Sequence, residues 1–175
     1  AFNTRDEGRK RVEALFACIA EAFTTDGCMI ANWVFGNEVN EYIGYYYGGP
    51  ISYSRFHESL AEGYRMFNAC VKSRWKNARC YLSLDHNWNV SWPVADSYMG
   101  MDLVKDFNLD LARQGRVHWD MAMHPYPAPE QDPRFWNRSW TVTNSGDTQQ
   151  ITMLNMSSWA VYLKMTYGTN IHIIL

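Results

Sequence analysis

A glutamate stands at the point where an apolar segment stops at a glycine. Residues 33–35 are Trp-Val-Phe, and Gly36, Asn37 and Glu38 follow them. Gly36 permits a tight turn, and Asn37 places an amide beside the carboxyl group of Glu38. A carboxylic acid at the tip of a buried strand supplies half of what glycosidic hydrolysis requires, and the other half is a second carboxyl group. No second carboxyl group stands in an equivalent position.

Polar groups also follow the next apolar segment of the chain. Asp85, His86 and Trp88 come directly after the run at 82–84. One interpretation is an Asp-started turn that carries a surface tryptophan. We instead interpret these residues as part of the wall of a site, because the ends of three such apolar segments carry polar or aromatic groups.

Residues 117–126 alternate between apolar and polar types. A period of two places the two sets on opposite faces of a strand. We expect the apolar face to lie under helices and the polar face to line a barrel interior. His118 and Asp120 are then expected to pair with each other, while His124 and Tyr126 lie at the upper rim. The sequence leaves open whether those two rim residues line a site.

The elements that must position these groups alternate along the chain. Apolar spacing predicts helices over 11–23, 56–75 and 98–111, and a fourth that begins at Asp147 or Thr148 and runs to 165. Ser54 is expected to cap the second helix, and Asp147 with Gln150 fits a capping box for the fourth. Strands are expected over 28–35, 78–84, 117–123 and 170–175, with no hairpin signal.

This order predicts parallel βα units, because parallel strands need crossover connections. The long, aromatic-rich loops, at 41–53, 85–93 and 125–144, all follow strands. A (β/α)8 barrel builds its active site from loops in that position. A doubly wound open sheet would do the same, but it usually shows a Gly-rich phosphate turn, which this sequence lacks.

Composition excludes some classes of function. The net charge is -2 and 19% of residues are charged, so there is no basic stripe for nucleic acid. No apolar run approaches the roughly 20 residues of a membrane helix. The four cysteines lack metal-site spacing and are interpreted as buried free thiols rather than disulfides. The eight tryptophans suit either a core or sugar-ring faces; Trp88, Trp92 and Trp136 are the candidate sugar platforms.

Three segments carry a resemblance to a known family: 33–40 (WVFGNEVN), 82–88 (LSLDHNW) and 124–127 (HPYP). They resemble a little-characterised bacterial family of TIM-barrel domains, which is similar to glycoside hydrolase clan A. The resemblance implies that residues 1–175 are the central-to-C-terminal part of a partial (β/α)8 TIM barrel, strands four to seven with their helices. The start at Ala1 and the final apolar run fit a domain truncated at both ends. Such a fragment is expected to be inactive without the missing barrel strands of its parent chain.

The same resemblance implies residue roles. Asn37 would contact the sugar 2-hydroxyl, and Glu38 would be the general acid/base. His124 and Tyr126 match a His-x-Tyr pattern whose tyrosine orients the nucleophile, a glutamate expected just beyond Leu175. Clan members retain anomeric configuration, which requires carboxyl groups about 5 Å apart. The implied ligand is a carbohydrate, with no cofactor or metal, and the implied location is extracellular or periplasmic.

Two alternatives stay open. The barrel could bind a glycan without cleaving it, and the residue beyond Leu175 would then be apolar rather than Glu. A metal-dependent hydrolase could use His86, His118, Asp120 and His124 as zinc ligands. The second alternative is the weaker one, because His118 and Asp120 are expected to lie deep in the barrel. The sequence does not determine the sugar, since fold alone does not fix function.

Overall fold

A computed structural model of the chain describes residues 6–25, 28–42, 51–91 and 97–175. The helices in these ranges are α1 (Asp6–Ala22), α2 (Tyr53–Arg74), α3 (Gly100–Arg113) and α4 (Met156–Tyr167). The strands are β1 (Thr24–Thr25), β2 (Cys28–Met29), β3 (Asn32–Phe35), β4 (Arg79–Leu84), β5 (Asp120–Met123) and β6 (Ile173–Ile174).

The main sheet has the strand order β3-β4-β5-β6, and every neighbouring pair is parallel. One helix lies between each pair of consecutive strands, as parallel pairing requires. The predicted alternation of helices with a parallel sheet is therefore confirmed. The carboxyl ends of the four strands point to the same edge of the sheet, where the loops with the candidate residues begin.

The single strand predicted over 28–35 is wrong. Residues 28–29 form β2 and pair antiparallel with β1, while β3 begins only at Asn32. Because the backbone of β2 is hydrogen-bonded to β1, it cannot extend the parallel sheet. The two-strand hairpin that results was not signalled by the sequence. The last two strands are also shorter than predicted, at four and two residues.

The helices pack on one face of this sheet. The register aligns Phe35, Leu82 and Met121 across three strands, so their side chains share a face. All three belong to the buried apolar cluster, to which all four helices also contribute. The opposite face carries polar residues, including Ser83 and Asp120, which are buried as well.

Helix α2 follows its apolar period closely. Its buried side chains recur every three or four residues, as in Phe56, Leu60, Tyr64, Phe67 and Val71. The cap is Ser52 rather than Ser54, because the Ser52 hydroxyl accepts a hydrogen bond from the Arg55 N–H at 3.3 Å. The hydroxyl of Tyr64 donates to the carbonyl of Cys80 at 2.7 Å and so joins the helix to β4.

The predicted start of the last helix is also wrong. Residues 147–155 form turns, irregular segments and one β-bridge residue rather than a helix, and α4 begins at Met156. Gln150 pairs with Asn87 in an antiparallel bridge, and the Ile151 N–H donates to the His86 carbonyl at 2.8 Å. These tertiary bonds occupy the backbone that a helix would need, so the capping box of Asp147 and Gln150 is not formed.

Free thiols are present at Cys18, Cys70 and Cys80, as expected. Cys70 and Cys80 are buried as predicted, but the predicted burial is wrong for Cys18, which is exposed on α1. The side chain of Cys28 lies outside the described residues. In the described part of the chain, no helix is both long and apolar enough to cross a bilayer.

Candidate active site

The backbone of Glu38 is held in an unusual conformation at the end of β3. Gly36 has a φ of 75° and Glu38 a φ of 45°, which is the left-handed region that side chains other than glycine rarely adopt. The Glu38 N–H donates to the Ser83 hydroxyl at 3.1 Å, and the Val39 N–H donates to the Ser83 carbonyl at 3.0 Å. Strained residues that neighbouring groups hold in place cluster at functional sites.

The carboxyl group of Glu38 is hydrogen-bonded to His124. Oε1 of Glu38 and Nδ1 of His124 are 2.7 Å apart, and Glu38 is only 5% exposed. The backbone N–H of His124 donates to the Leu84 carbonyl at 3.1 Å, which fixes the start of the loop after β5. A buried carboxyl group hydrogen-bonded to a histidine is an arrangement that suits general acid–base chemistry.

A second cluster of polar groups surrounds Asp85 at the end of β4. Asn40 is fully buried; its Nδ2 donates to Asp85 Oδ1, and its Oδ1 accepts the Asp85 N–H at 3.0 Å. Asn87 adds two further donors, its N–H at 2.9 Å and its side-chain amide. Three of these hydrogen bonds fix the Asp85 side chain, and the two that Asn40 makes tie the loop after β3 to the end of β4.

Glu41 completes this cluster and is the acid that the sequence analysis missed. Burial, a side-chain hydrogen bond to Asp85 and the negative charge of Asp85 raise the pKa of Glu41 to about 8. Two carboxyl groups can hydrogen-bond only with a proton between them, so Glu41 stays protonated at neutral pH. Its place is set locally by the Glu41 N–H, which donates to the Glu38 carbonyl at 2.8 Å.

These groups line one cavity of about 310 Å³ at the carboxyl edge of the sheet. It brings together six of the residues that the sequence singled out: Asn37, Glu38, Asp85, His86, His124 and Tyr126. Glu41, Asn87 and Glu130 line it too. Among the described residues, the wall contains four carboxylic acids and no lysine or arginine, so the cavity suits a neutral, hydroxyl-rich ligand better than an anion.

The whole chain, residues 1–175, matches the sequence family described as "Family of unknown function (DUF5722)". The chain belongs to this family. No curated protein matches its sequence.

Aromatic and histidine rings form one wall of the site in this DUF5722 protein. Tyr126 is 46% exposed, and its ring meets those of His86 and His124 edge-on at 5.8 Å and 6.1 Å. His86 is almost fully buried, with Nε2 3.4 Å from Oε1 of Glu130. The two rim residues whose role the sequence left open, His124 and Tyr126, therefore both face the cavity.

The tryptophans that the sequence predicted as sugar platforms do not line this cavity in the described part of the chain. Trp88 is fully buried, its Nε1 donates to the Gly146 carbonyl at 2.8 Å, and its ring packs edge-on against Trp159. The prediction that it stacks on sugar is wrong, because the loop folds back and places it in the core under α4. Trp136 is 58% exposed and packs against Phe135, away from the cavity. Trp92 lies outside the described residues.

The paired histidine and aspartate lie at the other end of the sheet. His118 Nε2 and Asp120 Oδ1 are 3.0 Å apart at the amino end of β5. Burial opposes the charge of Asp120, but hydrogen bonds from His118 and from the His172 N–H outweigh it and lower the pKa of Asp120. In the described ranges, no three His, Cys, Asp or Glu side chains are grouped so as to hold a metal ion.

Proposed function

We propose that this chain carries the acid/base side of a retaining glycoside hydrolase that cleaves O-glycosyl bonds of a poly- or oligosaccharide. The observation that carries the proposal is the 2.7 Å bond between Glu38 and His124, placed in a cavity walled by carboxyl and amide groups. A carboxyl group held in this way at the mouth of a pocket for a neutral ligand is placed where protonation of a glycosidic oxygen requires one.

The proposal includes a partial (β/α)8 barrel, with β3 to β6 as barrel strands four to seven. Two features support it. The helices all contribute to the core on one face of the sheet, whereas a doubly wound sheet carries helices on both faces. The polar groups also follow the carboxyl ends of β3, β4 and β5, which is where barrel enzymes place their active sites.

In the proposed reaction, Glu38 protonates the leaving oxygen as the glycosidic C–O bond breaks and the second carboxylate bonds to the anomeric carbon. Water then displaces that carboxylate and gives its proton to Glu38. His124 holds the Glu38 carboxyl group in place through Nδ1. Asn37, which is exposed beside it and lines the cavity, offers its amide to the sugar 2-hydroxyl. Hydrogen bonds to that hydroxyl strengthen in the transition state.

The second carboxyl group of a retaining pair is proposed to follow β6. This strand is parallel to β5, so its carboxyl end points to the edge where His124 and Tyr126 lie. The coding sequence beyond Leu175 distinguishes two functions. A glutamate within the first few positions favours the hydrolase, in which Tyr126 orients that glutamate, and an apolar residue there favours a barrel that binds carbohydrate without cleaving it.

The direct test is Glu38→Gln in the full-length protein, assayed on a panel of polysaccharides and aryl glycosides. We expect turnover of unactivated substrates to fall about 10²- to 10⁴-fold, the usual contribution of general acid–base catalysis. First-step cleavage of a dinitrophenyl glycoside should fall much less, because that leaving group needs no proton. Glu58→Gln, on the surface of α2, is the matched control. Turnover by the Glu38 variant equal to that of the control would reject the assignment.

A further inference from the structure

A second cavity opens beside the first. Its volume is about 460 Å³, and Glu130 lines both cavities. Ser139, Thr141 and Gln150 give it hydrogen-bonding groups, and Trp140 supplies an aromatic wall. Flat aromatic surface beside a few fixed polar groups is the usual composition of a pocket for a small organic ligand.

Trp140 is 82% exposed, more than any other large apolar side chain of the described ranges. Tryptophan is usually among the well-buried residues, because its ring has a large apolar area. An exposed indole at the edge of a pocket presents a flat apolar face on which a ligand ring can stack.

The loop that carries Trp140 is held by a short relay of side chains. Thr141 Oγ1 donates to Gln150 Oε1 at 2.7 Å and lies 2.8 Å from the Ser139 hydroxyl. The backbone N–H of Gln150 also donates to the backbone carbonyl of Thr141 at 3.0 Å. Trp140 thus sits between two residues whose positions are set by hydrogen bonds.

The same glutamine connects the second cavity to the first. Nε2 of Gln150 is 3.0 Å from Nε2 of His86 and donates to Oδ1 of Asn87 at 3.3 Å. His86 and Asn87 both line the cavity that contains Glu38. Gln150 is itself 8% exposed. The aromatic wall of the second cavity is therefore fixed relative to the carboxyl groups of the first.

We propose that Trp140, with Gln150 and Glu130, forms a further sugar-binding subsite, so that the substrate is a chain of several sugars that extends from the Glu38 cavity across the indole. This inference rests on the proposed function and specifies its substrate class. The apolar C–H face of a pyranose ring covers the indole, while the carboxyl group of Glu130 and the second acceptor site of Gln150 Oε1 bond its hydroxyls. A single sugar would occupy the first cavity alone.

The test compares Trp140→Ala with Trp136→Ala in the full-length protein. Trp136 is also exposed and lies on the same loop, but it lines neither cavity. On the polymer that the panel identifies, kcat/KM is measured for oligosaccharides of increasing length and for the aryl monoglycoside. We expect Trp140→Ala to lower kcat/KM about tenfold on the longer chains, the equivalent of about 1.4 kcal/mol. The monoglycoside should be unaffected, and Trp140→Phe should restore most of the loss.

A binding measurement separates this inference from the proposed function. Affinity electrophoresis in polysaccharide gels is run with both tryptophan variants in the Glu38→Gln background. If the protein cleaves nothing but Trp140→Ala still abolishes retardation, the subsite holds and the hydrolase assignment fails. If the protein cleaves its substrate while Trp140→Ala matches Trp136→Ala at every chain length and in the gels, the subsite is rejected and the hydrolase assignment stands. Absence of both cleavage and retardation rejects both.

Discussion

Replacing Glu41 by Gln should change how the stability of the protein depends on pH. The pKa of Glu41 is 4.5 in an unfolded chain and about 8 in the folded protein, raised by burial and by the bond to Asp85. Below pH 4.5 the group is protonated in both states. As the pH rises toward 8 the unfolded state loses this proton and the folded state keeps it, so the free energy of unfolding falls. Above pH 8 the loss is complete.

The size of this effect has an upper bound. At 1.36 kcal/mol per pKa unit, the difference between 4.5 and about 8 corresponds to about 5 kcal/mol. Glu41 is only partly buried, and solvent screens exposed charges strongly, so we expect about 1–2 kcal/mol. The glutamine cannot ionise, and its amide can still donate to Asp85. Relative to the wild type, Glu41→Gln should therefore gain about this much stability between pH 5 and pH 8.

The assay is urea unfolding of wild type, Glu41→Gln and the surface variant Glu58→Gln at closely spaced pH values. The comparison uses only how the free energy of unfolding changes with pH, because each substitution also shifts that free energy by an amount independent of pH. The free energy of unfolding is plotted against pH for each protein. If the plots for wild type and Glu41→Gln run parallel from pH 5 to pH 8, Glu41 and Asp85 do not share a proton. A change as large in Glu58→Gln would show that any lost carboxyl group gives the same result.

Two further substitutions test the scaffold of the site. Asn40→Leu keeps the branched shape of a fully buried side chain but removes its two bonds to Asp85. It should lower the free energy of unfolding by about 2–4 kcal/mol in urea titrations, and an unchanged midpoint would contradict the network. Gly146→Ala would place a methyl group 2.2 Å from Cδ2 of Tyr162 and should destabilise by about 1–3 kcal/mol in thermal unfolding. A Gly146→Ala/Tyr162→Leu double variant should recover part of that loss, and strict additivity would argue against the steric explanation.

The site residues at the strand ends could be predicted from the sequence because each follows a pattern of neighbouring residues. The apolar run before Gly36 and the alternation over 117–126 each fix a strand end and the faces beside it. Since parallel strands share a carboxyl edge, Glu38, His124 and Tyr126 could be placed around one cavity. The bond between Glu38 and His124 could not be foreseen, because it depends on the register of two strands with a third between them.

What the sequence could not reveal depends on contacts between distant segments. Glu41 looks like an ordinary loop glutamate until Asp85 is placed against it. Trp88 looks like a surface residue of a loop until α4 covers it. The segment with Gln150 satisfies the pattern of a helix start, but its hydrogen bonds to the end of β4 are worth more than local propensity. Each of these errors concerns a loop that packs on another loop or helix, for which residue periodicity carries no information.

The left-handed backbone at Glu38 lowers the stability of the protein, although it carries a carboxyl group that lines the cavity. A left-handed φ at a residue with a side chain costs on the order of 1–3 kcal/mol, and glycine would adopt it freely. Directed evolution for thermal tolerance alone would consequently favour glycine there and discard the acid. The left-handed backbone at Glu38 therefore supports the proposal that its side chain has a role in the site.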